Sequence, residues 1–209
     1  MINNYSVIIL AAGNSSRMGK PKFLLVMPDG DSFLENITKQ YSEFGCEDII
    51  VVLNKFGVKL LENHPQNLPP KIKIVLNSNF SLGRFSSIKA GVKQVASNCV
   101  FIHNVDNPVM KIEVLNQLYD AKTHADVIKP VINNRGGHPI LISKRVCDDI
   151  LIEKENELNF KDFLNSYSTK EVEVSSKSIL LNINTNEELA EFMKQSKENS
   201  NLAIKLSNY

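Results

Sequence analysis

Val7-Ile8-Ile9-Leu10-Ala11-Ala12-Gly13-Asn14-Ser15-Ser16-Arg17-Met18-Gly19-Lys20-Pro21-Lys22 is the stretch whose reading decides the fold. Residues 7–12 are apolar without alternation, the pattern of a strand buried on both faces, as in a parallel sheet covered by helices. The run stops at Gly13 and passes into a segment rich in Gly, Ser and Asn, so a loop leaves the carboxyl edge of the strand, where open α/β sheets bind ligands. Working outward, residues 48–53, 71–76, 98–103 and 126–132 are further short runs rich in Val and Ile, spaced widely enough to hold helices between them. Phe33, Ile37, Tyr41 and Phe44 share one helical face, as do Ile88, Val92 and Val95, and Val114, Leu115 and Leu118. Alternating strands and amphipathic helices mean βαβ units, hence an α/β fold with a mostly parallel sheet.

Beyond His138 the pattern changes to a short extended run at 139–142, mixed helix over about 144–166, and short apolar runs at 171–174 and 179–183. This half is expected to shape the site of a second substrate. One domain over residues 1–196 is expected, with 197–209, rich in Ser, Asn and Lys, as a tail or frayed helix. The Pro-rich piece at 64–70 reads as a loop within that domain.

Composition narrows the class further. The chain has 209 residues, 43% hydrophobic and 22% charged, an ordinary soluble globular balance. Its formal net charge of +1 supplies no field to attract nucleic acid, so an anion must be bound locally. Cys46, Cys99 and Cys147 are far apart and form no CxxC pair, which argues against a disulfide framework or zinc knuckle and fits a reducing cytoplasm. The apolar run at 7–12 is too short for a membrane span and has no signal-peptide character, so neither membrane nor export is expected.

The loop chemistry points to a nucleoside triphosphate. Gly13 and Gly19 let backbone approach phosphate oxygens, Ser15 and Ser16 add donors, and Arg17, Lys20 and Lys22 place three cations within six positions. Two commoner phosphate loops fail on spacing. Five residues separate Gly13 from Gly19-Lys20 where a Walker A loop has four, and Pro21 stands where that loop has Ser or Thr; GxGxxG fails because Asn14-Ser15 follows Gly13.

From Leu10 to Lys22 the sequence resembles the signature loop of the molybdenum cofactor nucleotidyltransferase family, Leu-Ala-(Ala or Gly)-Gly-x-Ser-x-Arg-Met-Gly, two residues, then Lys. The resemblance continues through Ser81-Leu82-Gly83-Arg84-Phe85-Ser86-Ser87, Val105-Asp106-Asn107-Pro108, Gly137-His138-Pro139-Ile140-Leu141 and Leu181-Asn182-Ile183-Asn184-Thr185-Asn186-Glu187-Glu188-Leu189. It is closest to the molybdopterin cytidylyltransferase branch, in which Ala is usual at the place of Ala12. The resemblance implies a Rossmann-like nucleotidyltransferase fold, a single domain with helices on both faces of the sheet. It also implies CTP as donor, Mg2+ as cofactor and a phosphorylated acceptor. The last motif departs: relatives read Asp-Ile-Asp-Thr-Pro-Glu-Asp, and Asn182, Asn184 and Asn186 replace both aspartates and the proline.

Site roles follow. Ala11, Ala12, Gly13, Asn14, Ser15 and Ser16 are expected to cradle the nucleotide. By resemblance, Gly83 and Ser87 contact the base, with backbone groups near Ala11 and Gly83 selecting a pyrimidine; a helix-capping role suits one of Ser86 and Ser87 equally well. Asp106 follows the strand at 98–103, so its carboxylate reaches the same sheet edge as Gly13 and can anchor the metal. Asn184 is either a second, neutral ligand or a cap of the helix beginning near Glu187, and Asn182 either serves the backbone or caps the same helix. Arg84 is either a phosphate or acceptor contact or a solvated arginine; Arg135 and His138 are assigned to the acceptor, and His103 to the core. The expected reaction is in-line attack on the α-phosphorus with loss of pyrophosphate, Arg17 on the leaving phosphates and Lys22 on the α-phosphate. Two rivals stand beside it: the same chemistry on a polyol, sugar or amino-alcohol phosphate, and a non-catalytic nucleotide-binding paralogue. Either a monomer or a homodimer is compatible.

Overall fold

Six of the strands in the computed structural model point the same way, and the apolar runs account for most of them. The structure describes residues 5–15 and 18–207, with side chains as far as residue 196. Strands β1 (Tyr5–Leu10), β2 (Asp48–Leu53), β3 (Ile72–Leu76) and β4 (Cys99–Asn104) pair in parallel in the order β3-β2-β1-β4. Then β7 (Ile140–Ser143) lies antiparallel between β4 and β5 (Val127–Ile132), and β8 (Thr169–Glu173) extends β5 in parallel on its other side.

The lack of alternation in β1 has the expected cause. Val7 and Ile9 face one layer with Ile49, Val51 and Phe101, covered by α1 (Phe33–Phe44), α2 (Lys55–Asn63) and α4 (Ile112–Asp120). Ile8 faces the other with Ile50, Val52, Val100 and Ile102, covered by α3 (Arg84–Val92), α5 (Lys144–Ile152) and α6 (Phe160–Leu164). Helix α1 begins at a capping box in which Ser32 and Glu35 satisfy each other's backbone N–H groups, a strong local start signal.

Several details differ from the sequence reading. Strand β1 ends at Leu10, so Ala11 and Ala12 belong to the loop, although the Ala11 N–H still donates to the Val52 carbonyl at 3.0 Å. The region 144–166 is two helices rather than one, each N-capped by a side chain, Ser143 and Asn159. Within 179–183 no strand forms; Lys177–Leu180 is a 3-10 turn, held under the sheet edge because Asn107 donates to the Ser178 carbonyl at 3.1 Å and Ile179 is buried. Helix α7 runs Asn186–Ser207, so residues 197–207 take the helical one of the two alternatives stated for that stretch. The antiparallel return after β5 starts with β6 (Arg135–Gly136), and residues 137–140 then oppose only 129–130, a bulge containing the cis bond His138-Pro139. That bulge sits beside the carboxyl end of β4. No helix among the described residues is long and apolar enough to cross a membrane.

Candidate nucleotide site

Every parallel strand delivers a polar loop to one edge, and several begin with asparagine. Asn54 follows β2, Asn77 follows β3, and Asn104 ends β4. Asn54, buried, accepts from Gly57 N–H at 2.7 Å as the cap of α2 and donates to the Ala12 carbonyl at 2.8 Å, tying the glycine loop to the next strand. Asn77, also buried, donates to the hydroxyls of Ser86 and Ser87, both at 3.0 Å. Sequence reasoning missed these asparagines; the available signal was the repeated placement of Asn directly after an apolar run.

Between the loops lies a cleft with two lobes sharing Leu10, Gly13, Asn14 and Arg84. One, of about 410 Å³, is lined also by Ser15, Lys22, Asp106 and Asn184. The other, of about 560 Å³, is lined also by Ala12, Phe80, Gly83 and Ser87. The sequence-expected groups therefore divide: phosphate and metal residues to the first lobe, base residues to the second. Ser16 and Arg17 lie outside the described residues.

In the first lobe the loop folds back on itself. Ser15 adopts a positive φ of 49° and its hydroxyl accepts from the Lys22 N–H at 3.2 Å, while Met18 and Phe23 are buried as anchors on either side. Lys22 opens a short 3-10 turn and projects its ammonium to within 3.3 Å of Asp106 Oδ2 and 2.6 Å of Asn184 Oδ1. Asn184 reaches Asp106 because the Ile183 N–H donates to the Asp106 carbonyl at 2.8 Å and Ile183 is fully buried. The helix-capping alternative for Asn182 and Asn184 does not hold. Thr185 caps α7, its hydroxyl accepting from the Glu188 N–H, while Glu188 accepts from the backbone of Asn184 and Thr185. Asn182 donates to the Leu180 carbonyl. The Asn184 side chain is thus left for the cleft.

Asp106 Oδ1 is buried without a hydrogen-bond partner, an expensive state for a carboxylate oxygen unless something else occupies it. One carboxylate and one amide oxygen, both hard donors, fit a magnesium ion that takes its remaining ligands from phosphate and water. No group of three or more His, Cys, Asp or Glu side chains able to hold a metal exists among the described residues, so phosphate and water oxygens are required to complete such a site.

In the second lobe Gly83 holds φ 93°, which a side chain would strain, and a Cβ there would meet only open space. Neither serine caps α3. The Ser86 hydroxyl shares its one hydrogen between the carbonyls of Asn79 and Gly83, both within reach, and Ser87, held by Asn77, faces the lobe. The N–H of Gly83 is taken by Phe80 O and that of Ala11 by Val52 O, so neither amide is free to read a base edge.

Arg84 stands at the junction of the lobes, its guanidinium 5.8 Å from the Phe160 ring centroid and open to the cleft. Desolvation by the surrounding protein lowers its pKa, which the charge of Asp106 partly offsets. The imidazole of His138, in the bulge, is held neutral: burial first, then the charge of Arg84, brings its pKa to about 3. Neither His138 nor Arg135 lines either lobe, and Arg135 is exposed at the start of β6. His103 is a core residue, as expected. Its Nε2 meets the Asn107 carbonyl at 2.7 Å and Nδ1 meets the Tyr41 hydroxyl at 2.9 Å, a pattern that assigns the proton to Nε2; burial lowers its pKa to about 4.

Comparison with known proteins shows the family of the chain. The family model described as the MobA-like NTP transferase domain matches residues 7–170. The molybdenum cofactor cytidylyltransferase of Escherichia coli (strain K12) is 32% identical over 178 residues, covering 85% of this chain and 90% of that protein. A probable molybdenum cofactor guanylyltransferase of Trichormus variabilis is 25% identical over 195 residues, 90% of each chain. Among solved structures, a homologue of Mycobacterium tuberculosis rv0371c from Mycobacterium sp. strain JC1 superposes with a TM-score of 0.79 at 19% identity, covering 93% of this chain and 98% of that one; at that identity it shows the shared fold.

Proposed function

The chain belongs to the MobA-like NTP transferase domain family of nucleotidyltransferases, and within it we propose that this protein transfers CMP from CTP to a phosphorylated acceptor, molybdopterin, with release of pyrophosphate. The observation that carries the reading is the convergence of Lys22, Asp106 and Asn184 at the phosphate lobe, beside the backbone of Gly13, Asn14 and Ser15. Ala12 and the 32% identity to a cytidylyltransferase support CTP over GTP.

In this mechanism an acceptor phosphate oxygen attacks the α-phosphorus in line, a new P–O bond forms, and the bridging bond to the β-phosphate breaks as pyrophosphate leaves. Magnesium, when bound by Asp106 and Asn184, neutralises phosphate charge. The chain's own part is positioning. Lys22 brings its ammonium to the α-phosphate, where negative charge builds, and Arg17 is assigned to the leaving phosphates. Ser87 and the open surface over Gly83 accommodate the base. Arg84 faces both lobes, so it holds the acceptor phosphate against the α-phosphate. The Asn184 oxygen still points into the site, which weighs against a non-catalytic paralogue.

The test is pyrophosphate release with each of the four ribonucleoside triphosphates, magnesium and molybdopterin. CTP is expected to give the fastest release. Faster release with GTP would replace the donor and leave the transfer intact, whereas no release with any nucleotide would overturn the enzymatic reading.

A further inference from the structure

Lys22 spends its ammonium on the two oxygens assigned above to the metal. Nζ lies 3.3 Å from Asp106 Oδ2 and 2.6 Å from Asn184 Oδ1, with the Lys22 and Asp106 side chains only 14% and 22% exposed. A compact +1 charge with three donors suits that position: it neutralises the lone carboxylate and satisfies the amide oxygen together. A divalent ion bound to the same pair of oxygens would stand against the ammonium, and like charges at such a distance in a half-buried site repel strongly. The two cations therefore exclude one another.

The lysine has somewhere else to go. Its backbone is tied to Ser15 Oγ and its neighbour Phe23 is buried, so the loop need not move; only the four-carbon stem must swing, toward the lobe lined by Gly13 and Asn14. A nucleotide phosphate there offers the ammonium a stronger anion than the pair it leaves. Asn184 sharpens the balance. With one carboxylate and one amide, Lys22 brings the empty pair to zero net charge, whereas a second carboxylate would leave a negative charge to draw metal in without nucleotide.

We propose that Lys22 is a stand-in cation that closes the metal position in the nucleotide-free protein, so the site takes its metal together with the nucleotide and resists the metal alone. The inference rests on the proposed metal role of Asp106. It is tested by titrating Mn2+ into the full chain and following loss of the free-ion electron paramagnetic resonance signal. Without nucleotide, Lys22→Met and Lys22→Gln are expected to bind Mn2+ at least about tenfold more tightly than the wild type, given the weight of one close like charge at a largely buried site. Asp106→Asn in either background should abolish the gain. The inference is overturned if both lysine variants, folded by circular dichroism, bind Mn2+ no more tightly than the wild type while the wild type takes up Mn2+ with a non-hydrolysable CTP analogue beyond what the analogue alone holds. If that ternary uptake is itself absent or indifferent to Asp106→Asn, the metal role of Asp106 falls, and the inference with it.

Discussion

The side-chain amide of Asn54 donates to the carbonyl of Ala12 at 2.8 Å, while its oxygen caps α2 through Gly57. One buried side chain thus fixes both the start of the glycine loop and the start of the next helix. Asn54→Ala should lower stability by about 1–3 kcal/mol, since it leaves a buried carbonyl and a helix N–H unpaired. Asn54→Asp keeps the cap and loses the donor to Ala12. A carboxylate oxygen then faces the Ala12 carbonyl in a buried position, so this variant's urea midpoint should fall at least as far as that of the alanine variant, while KM for CTP rises in both; an unchanged KM in both variants would remove Asn54 from the site.

Gly91 decides how closely α3 approaches the sheet. A Cβ there would lie 2.5 Å from Ile8 Cγ2, well inside contact distance. In a free helix Gly→Ala would stabilise by roughly 1 kcal/mol. Here the clash with a fully buried strand residue reverses the sign, and Gly91→Ala should destabilise by about 1–3 kcal/mol. Because α3 carries Ser87 and begins at Gly83, the same variant should weaken nucleotide binding. A raised melting temperature would contradict the packing argument.

Lys22→Ala should cut kcat by about 10²–10³, the usual loss for one charge-stabilising group, while the fold survives. Pyrophosphate release and thermal melting read the two effects separately. Near wild-type turnover would remove Lys22 from the mechanism.

His103 predicts an acid-sensitive fold. Burial depresses its pKa from the ordinary 6.5 to about 4, so between those values the unfolded chain binds a proton that the folded chain refuses. The stability it contributes is complete above pH 6.5 and is lost as pH falls toward 4, at about 1.4 kcal/mol per pH unit. His138, lowered to about 3, acts in the same direction over a wider window. Urea unfolding at pH 7.5, 6.5, 5.5 and 5.0 should show the fall beginning below 6.5, before carboxylates contribute. A flat profile to pH 5.0 would mean that these imidazoles are charged or exposed in the folded protein.

Continuous apolar runs mark strands whose two faces are both covered, so β1, β2 and β4 and the helix faces of Phe33, Ile37 and Tyr41 follow from periodicity alone. The position of Gly13 after such a run, and of Asp106 after another, placed both at one sheet edge, because parallel strands end together. Those are local signals, carried by neighbours in sequence.

Other features depend on residues distant in sequence, and periodicity is blind to them. Asn184 meets Lys22 across a separation of 162 residues, and only the bond from Ile183 to the Asp106 carbonyl brings it there. The antiparallel insertion of β7 between β4 and β5, the 3-10 turn at Lys177–Leu180, and the pairing of Asn77 with Ser86 and Ser87 are likewise choices made by packing and by the need to satisfy buried polar groups. The sequence by itself determined the α/β class and the sheet edge at which the glycine loop and Asp106 stand, because spacing along one strand or helix encodes burial directly. Tertiary structure alone decided which oxygen faces which cation, because a hydrogen bond between distant segments exists only once the sheet has brought their loops to the same edge.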